Sequence, residues 1–125
     1  MKTLLLSVLL ISNSAFAAFV QSAKLDRSLQ NLLVTVSYSG GCAEHKFELS
    51  GISCSRSMPA KCVTEIKDIT EVPDYCEAFI TKTVKFNLEQ HGINGNVGGL
   101  TIYGSPMMID GEFRPTSAHV VFPNF

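Results

Sequence analysis

The chain has 125 residues, 10 Lys and Arg against 11 Asp and Glu, and a formal net charge of −1. That length allows one domain with a single modest core. The charges are scattered and no basic run occurs, so the electrostatic footprint of a nucleic-acid or anionic-lipid binder is absent.

The first segment, "MKTLLLSVLLISNSAFA", opens with Lys2, continues with an apolar run over 4–11 broken by Ser7, and ends on Ala15-Phe16-Ala17. This is the pattern of a secretory signal peptide, residues 1–17, cleaved after Ala17 to leave 18–125 as a single β-domain. The apolar run is shorter than the roughly 20 residues a bilayer-spanning helix needs, and no later run is long enough, so no membrane span is expected in the mature chain. No cysteine stands directly after the cleavage point, which argues against a lipoprotein anchor.

From Ala18 onward, alternation replaces helical periodicity. "AFVQSAKL" (18–25) reads as a first strand and "NLLVTVSYS" (31–39) as a second, with Val34, Val36 and Tyr38 sharing one face. "EHKFELS" (44–50) places His45, Phe47 and Leu49 on one side and Glu44, Lys46 and Glu48 on the other, as in a sheet with one wet face. "CVTEIKDI" (62–69) reads as a strand with a mixed face of Val63, Glu65, Lys67 and Ile69. In "YCEAFITKTVKFNL" (75–88) Lys82 interrupts an apolar face, which predicts a bulge or an edge position. Asn94-Gly95 and Asp110-Gly111 read as hairpin turns, because both residue types tolerate positive φ. "LTIYG" (100–104) and "SAHVVF" (117–122) complete the set. The sum is an all-β fold, a single small β-sandwich or partly open barrel of about seven to eight antiparallel strands.

Between the second and third strands, "SYSGGCAEHKFEL" (37–49) holds Gly40-Gly41, a pair suited to a tight reversal, so this stretch is expected to form a hairpin with a Gly-Gly-Cys corner. The four cysteines, Cys42, Cys54, Cys62 and Cys76, are even in number, and in an exported chain of this size they argue for disulfides. Three pairings are possible, and Cys54–Cys62 with Cys42–Cys76 is favoured. The first pair flanks "SRSMPAK", whose composition suits an exposed turn. On the chain-entropy estimate the short loop contributes about 2.5 kcal/mol and the long one about 4 kcal/mol. A four-cysteine zinc site would usually use two Cys-x-x-Cys pairs, and none is present.

The segments "VSYSGGCAEHKFEL" and "DYCEAFITKTVKFNL" together resemble an uncharacterised family of exported bacterial proteins and lipoproteins. Its members carry Gly-Gly-Cys-x-x-His-x-Phe, then Asp-x-Cys-Glu leading into a strand that ends Phe-Asp-Leu. Here those positions are Gly40, Gly41, Cys42, His45 and Phe47, then Asp74, Cys76 and Glu77, then Phe86, Asn87 and Leu88. Asn87 departs from the family's Asp, and Cys54 and Cys62 are an addition. The resemblance covers about half the chain, carries no established activity, and implies that Cys42 and Cys76 belong together.

Chemistry is sparse. Serine nucleophile elbows, phosphate-cradling loops and His-Glu-x-x-His are missing. His45 shares a face with Phe47 and Leu49, so it is read as a buried neutral imidazole bonded to backbone or to a carboxylate such as Asp74. Two alternatives stand beside this reading. One is a metal-binding protein using His45 with Asp74 or Glu77. The other is a small hydrolase using paired carboxylates, although positions 74 and 77 would face opposite sides of a strand. An outer-membrane strand ending in Phe125 is a further alternative, but most strands here are shorter than the ten or so residues it needs. The leading expectation is an exported, non-catalytic β-domain, periplasmic or secreted, without a cofactor. It would bind an envelope protein or a small ligand, with the "GISCSRSMPAK" loop and its Arg56 and Met58 as the contact surface.

Overall fold

A computed structural model describes residues 16–93 and 95–123. The proposed leader, apart from Phe16 and Ala17, lies outside these residues, as do Asn94 and Phe125. Among the described residues the chain forms β1 (Phe19–Leu25), β2 (Asn31–Gly40), β3 (Phe47–Leu49), β4 (Ser53–Cys54), β5 (Ala60–Asp68), β6 (Ala78–Asn87), a 3-10 turn (Glu89–His91), β7 (Val97–Ile109) and β8 (Glu112–Val121).

Alternation decides which side chains turn inward. Leu32, Val34, Val36 and Tyr38 of β2 are buried, as are Cys62, Thr64, Ile66 and Asp68 of β5, every second residue in each run. The first sheet has the order β1-β2-β6. The second has the order β3-β5-β7-β8, with β4 also paired to β5. The facing sides enclose one core of Val20, Leu32, Val34, Val36 and Phe86 against Leu49, Ile66, Leu100, Ile102 and Val120. The result is a β-sandwich joined along one margin, where Ser105 N–H donates to the Ala18 carbonyl at 2.7 Å and Val20 N–H donates to Thr116 Oγ1 at 2.9 Å. Gly104 sits at that seam, where a Cβ would lie 2.6 Å from the Ala18 carbonyl oxygen, so only glycine admits this approach.

Three expectations change. First, 37–49 is not a hairpin. β2 pairs with β1 and β6, whereas β3 pairs with β5 in the other sheet, so Gly40-Gly41 carries the chain between layers. Secondly, β5 and β7 are parallel, because β6 between them belongs to the facing sheet and the chain crosses twice before returning. The remaining pairings are antiparallel. Thirdly, the stretch around Gly95 is part of that return to β7 rather than a hairpin, since β6 and β7 are not paired. Asp110-Gly111 does turn a hairpin, with φ of 52° and 82°, and joins β7 to β8. Lys82 lies on an edge strand: it sits opposite Val36 in unbroken register, with its ammonium 6.0 Å from the Phe47 ring centroid. A lysine at such a position discourages pairing with a further strand.

Candidate functional site: a buried Asp-His-Asp cluster

The corner after β2 builds the most polar place in the interior. Gly40 and Gly41 adopt φ of 147° and 111°, angles that side chains rarely tolerate. A Cβ on Gly40 would collide with Asp74 Oδ2 and stand 2.9 Å from His45 Nε2. With the chain turned this way, the backbone N–H groups of Gly41, Cys42 and Ala43 point at one carboxylate. They donate to Asp74 Oδ2 at 3.0, 3.3 and 3.1 Å. Cys76 N–H donates to Asp74 Oδ1 at 3.2 Å. Such a concave run of amides is an anion-binding nest, and here the anion is the protein's own side chain. The Cys42–Cys76 disulfide, Cα atoms 5.7 Å apart, ties the nest to the segment that delivers Asp74.

His45 lies between two carboxylates. Its Nε2 is 2.7 Å from Asp74 Oδ2 and its Nδ1 is 2.5 Å from Asp68 Oδ2. Asp68 is the last residue of β5, and its other oxygen accepts from the Thr70 N–H at 3.0 Å and from the Thr70 hydroxyl. That hydroxyl in turn accepts from Lys46 N–H at 2.9 Å. The side chains of His45, Asp68 and Asp74 have no solvent exposure. Aromatic rings enclose the imidazole: Tyr38 at 4.4 Å, Phe16 edge-on at 5.0 Å and Phe47 at 6.4 Å between centroids.

Three amides donate to Asp74 Oδ2 and Thr70 donates to Asp68 Oδ1, so both carboxylates are set as acceptors and the arrangement favours a ring that carries an N–H on each nitrogen. Burial pulls its pKa down, but the hydrogen bonds to Asp68 and Asp74 outweigh burial and the net direction is up. Burial pushes Asp74 up, yet the His45 bond and the amides of Ala43, Cys76 and Cys42 prevail and hold it well below the usual carboxylate range. Burial, then the charges of Asp68 and Asp74, raise the Tyr38 phenol. The geometry is that of an ion triplet, which favours a protonated ring where the sequence reading had a neutral imidazole. No buried side-chain nitrogen or oxygen among the described residues lacks a partner.

The metal candidates separate. Asp74 meets His45, but through a hydrogen bond, and both ring nitrogens are engaged with carboxylates, which leaves no lone pair for an ion. Glu77 is exposed. Among the described residues, the one group of three donors close enough to share a metal is Cys42, Asp74 and Cys76, and its two sulfurs are bonded to each other. A catalytic Asp-His pair would turn its second nitrogen toward a nucleophile, and here that nitrogen faces Asp74. Cys54 and Cys62 also pair, with Cα atoms 4.0 Å apart, and close the β4–β5 hairpin. That loop holds exposed Arg56 and Met58, the latter 76% accessible. It lies about 20 Å along β5 from Asp68, at the strand's other end.

Asp68, Tyr38 and Thr70 were not singled out as site residues from sequence. The available signal was Asp68 itself: it continues the inward face Cys62, Thr64, Ile66, and a carboxylate on such a face requires a buried donor.

No family model matches the chain, and no curated protein or solved structure matches it either. Two disulfides suit an oxidising compartment. No helix among the described residues is long and apolar enough to cross a membrane.

Proposed function

We propose that this chain is an exported, non-catalytic binding domain of the cell envelope or its surroundings, with the disulfide-closed loop at 54–62 as a contact surface. The observation that carries the reading is the fate of the strongest candidate for chemistry. His45 has both nitrogens committed to buried carboxylates, so it can neither abstract a proton from a substrate nor hold a metal. Its role is to join β5 (through Asp68) to the Gly-Gly corner and to the segment bearing Asp74.

The loop is prepared for binding. Its ends are fixed by Cys54–Cys62, and Lys61 N–H and the Ser57 hydroxyl hydrogen-bond within it, to Ser55 Oγ at 3.0 Å and to the Pro59 carbonyl at 3.1 Å. A loop already ordered loses less entropy when a partner engages it. Arg56 and Met58 project from it, an arginine and a flexible apolar residue of the kinds that anchor interfaces. Pull-down from envelope extracts with the wild-type domain and with Arg56→Ala/Met58→Ala tests the reading. The pair of substitutions should reduce recovery of the bound partner by about tenfold or more, the scale expected for losing two anchors. Unchanged recovery of every partner removes the loop from the proposal.

A further inference from the structure

We propose that hydrolysis of the Ala17–Ala18 bond turns the cleft beside His45 into a binding site for a peptide C-terminus with an aromatic residue in the penultimate position. This rests on the reading that the chain is exported and its leader removed. The cleft has a volume of about 700 Å³, and its walls include Phe16, Ala17, Phe19, Asp68, Ser105 and Phe113. Two of those walls belong to the segment that processing removes. The Phe16 and His45 rings meet in a T-shaped contact, centroids 5.0 Å apart and planes at 64°. In that position the Phe16 ring covers the imidazole and keeps water from the buried Asp68–His45–Asp74 cluster.

Ala18 does not depend on what precedes it. It is 1% exposed, its N–H donates to Ser105 Oγ at 2.9 Å, and its carbonyl accepts from Ser105 N–H at 2.7 Å. In the cleavage, carried out by an endopeptidase with water as co-reactant, the carbon–nitrogen bond between residues 17 and 18 breaks. The hydroxyl of water goes to the Ala17 carbonyl carbon and a proton goes to the Ala18 nitrogen. At neutral pH the products are an Ala17 carboxylate and an Ala18 ammonium. The ammonium keeps its anchor at Ser105 and faces the space that Ala17 leaves. Neighbouring acids are already engaged: Asp68 by His45 and Thr70, and Glu65 by Lys67 at 3.9 Å. Departure of Phe16 therefore opens an aromatic-sided gap over the His45 ring, next to a new positive charge. The complementary ligand supplies a ring for the gap and a carboxylate for the ammonium, the recognition mode of a captured peptide terminus.

The test uses protein produced with its leader and purified after export, its start established by intact mass. The probes are the free-acid peptide Ser-Ala-Phe-Ala, the same peptide as its C-terminal amide, and Ser-Ala-Ala-Ala, each titrated while the His45 ring resonances are followed by NMR. A chain beginning at Ala18 should show a saturable His45 shift with the free acid. Binding should weaken by about tenfold or more with either altered peptide, and by a few fold in Phe113→Ala, whose side chain is exposed enough to be dispensable for folding. Binding of the free acid should also weaken above about pH 8 as the ammonium loses its proton. A chain that begins at Ala18 yet shows no shift at millimolar peptide, or equal shifts with all three peptides, overturns the site and leaves the processing intact. Mass showing residues 1–17 retained after export overturns both.

Discussion

Replacing His45 by alanine is the most direct trial of the ion triplet. The substitution removes two charge-assisted hydrogen bonds, at 2.5 and 2.7 Å, and leaves the Asp68 and Asp74 carboxylates facing an apolar void. The imidazole also packs against the Tyr38 and Phe47 rings, so a packing loss adds to the electrostatic one. Breaking a buried ion pair from one side costs about 3–5 kcal/mol, because the remaining charge stays desolvated without its partner. A domain of this size has a total stability of about 5–15 kcal/mol, so the variant should retain a folded state with a melting temperature lower by roughly 10–20 °C. Urea denaturation at pH 6, disulfides intact and followed by far-ultraviolet circular dichroism, measures the difference. A loss below about 1 kcal/mol would refute the reasoning, since that is the cost of a solvent-exposed pair and not of a buried one.

The same cluster sets a pH window. His45 has a raised pKa, so its contribution is complete below its ordinary value of 6.5 and fades as pH rises through the raised value. Asp74 has a lowered pKa, so its contribution is complete above its ordinary value of 3.8 and fades as pH falls through the lowered one. Stability from these two groups should therefore be flat between about pH 4 and 6.5 and decline on either side. Thermal melts across pH check this, and His45→Gln should flatten the alkaline decline. Glycine positions give a third expectation. Gly40→Ala meets both a forbidden φ and the Asp74–His45 contact, whereas Gly111→Ala at φ 82° projects into open space. The exposed turn variant should lose about 1 kcal/mol, from strain alone, and Gly40→Ala clearly more. Equal melting temperatures for the two would show that the nest tolerates a side chain.

Much of the architecture could be read from the order of residues. Leu32, Val34, Val36 and Tyr38 alternate with polar or less buried neighbours, and that period alone commits one side of β2 to the core. Asp110-Gly111 turns a hairpin because positive φ is a local property of those two residues. Lys82 announced an edge, since a cation on an inward face needs a route to water. The pairing of strands was not local in this sense. Gly40-Gly41 permits a reversal within one sheet or a crossing between two, and the backbone angles required are alike. What selects the crossing is β6, far along the chain, which occupies the flank of β2 where a hairpin partner would have lain.

Sequence therefore determined strand faces, and it supported the crosslinks that close this molecule. The three-dimensional arrangement alone set His45 between two carboxylates, which favours its charged form. Residues 45, 68 and 74 come from a loop, a strand end and a second loop, and an imidazole between two carboxylates titrates differently from one beside a backbone carbonyl. The distances among groups separated by 23 and 29 residues are set by how the two sheets close on each other, which no short pattern of residue types encodes.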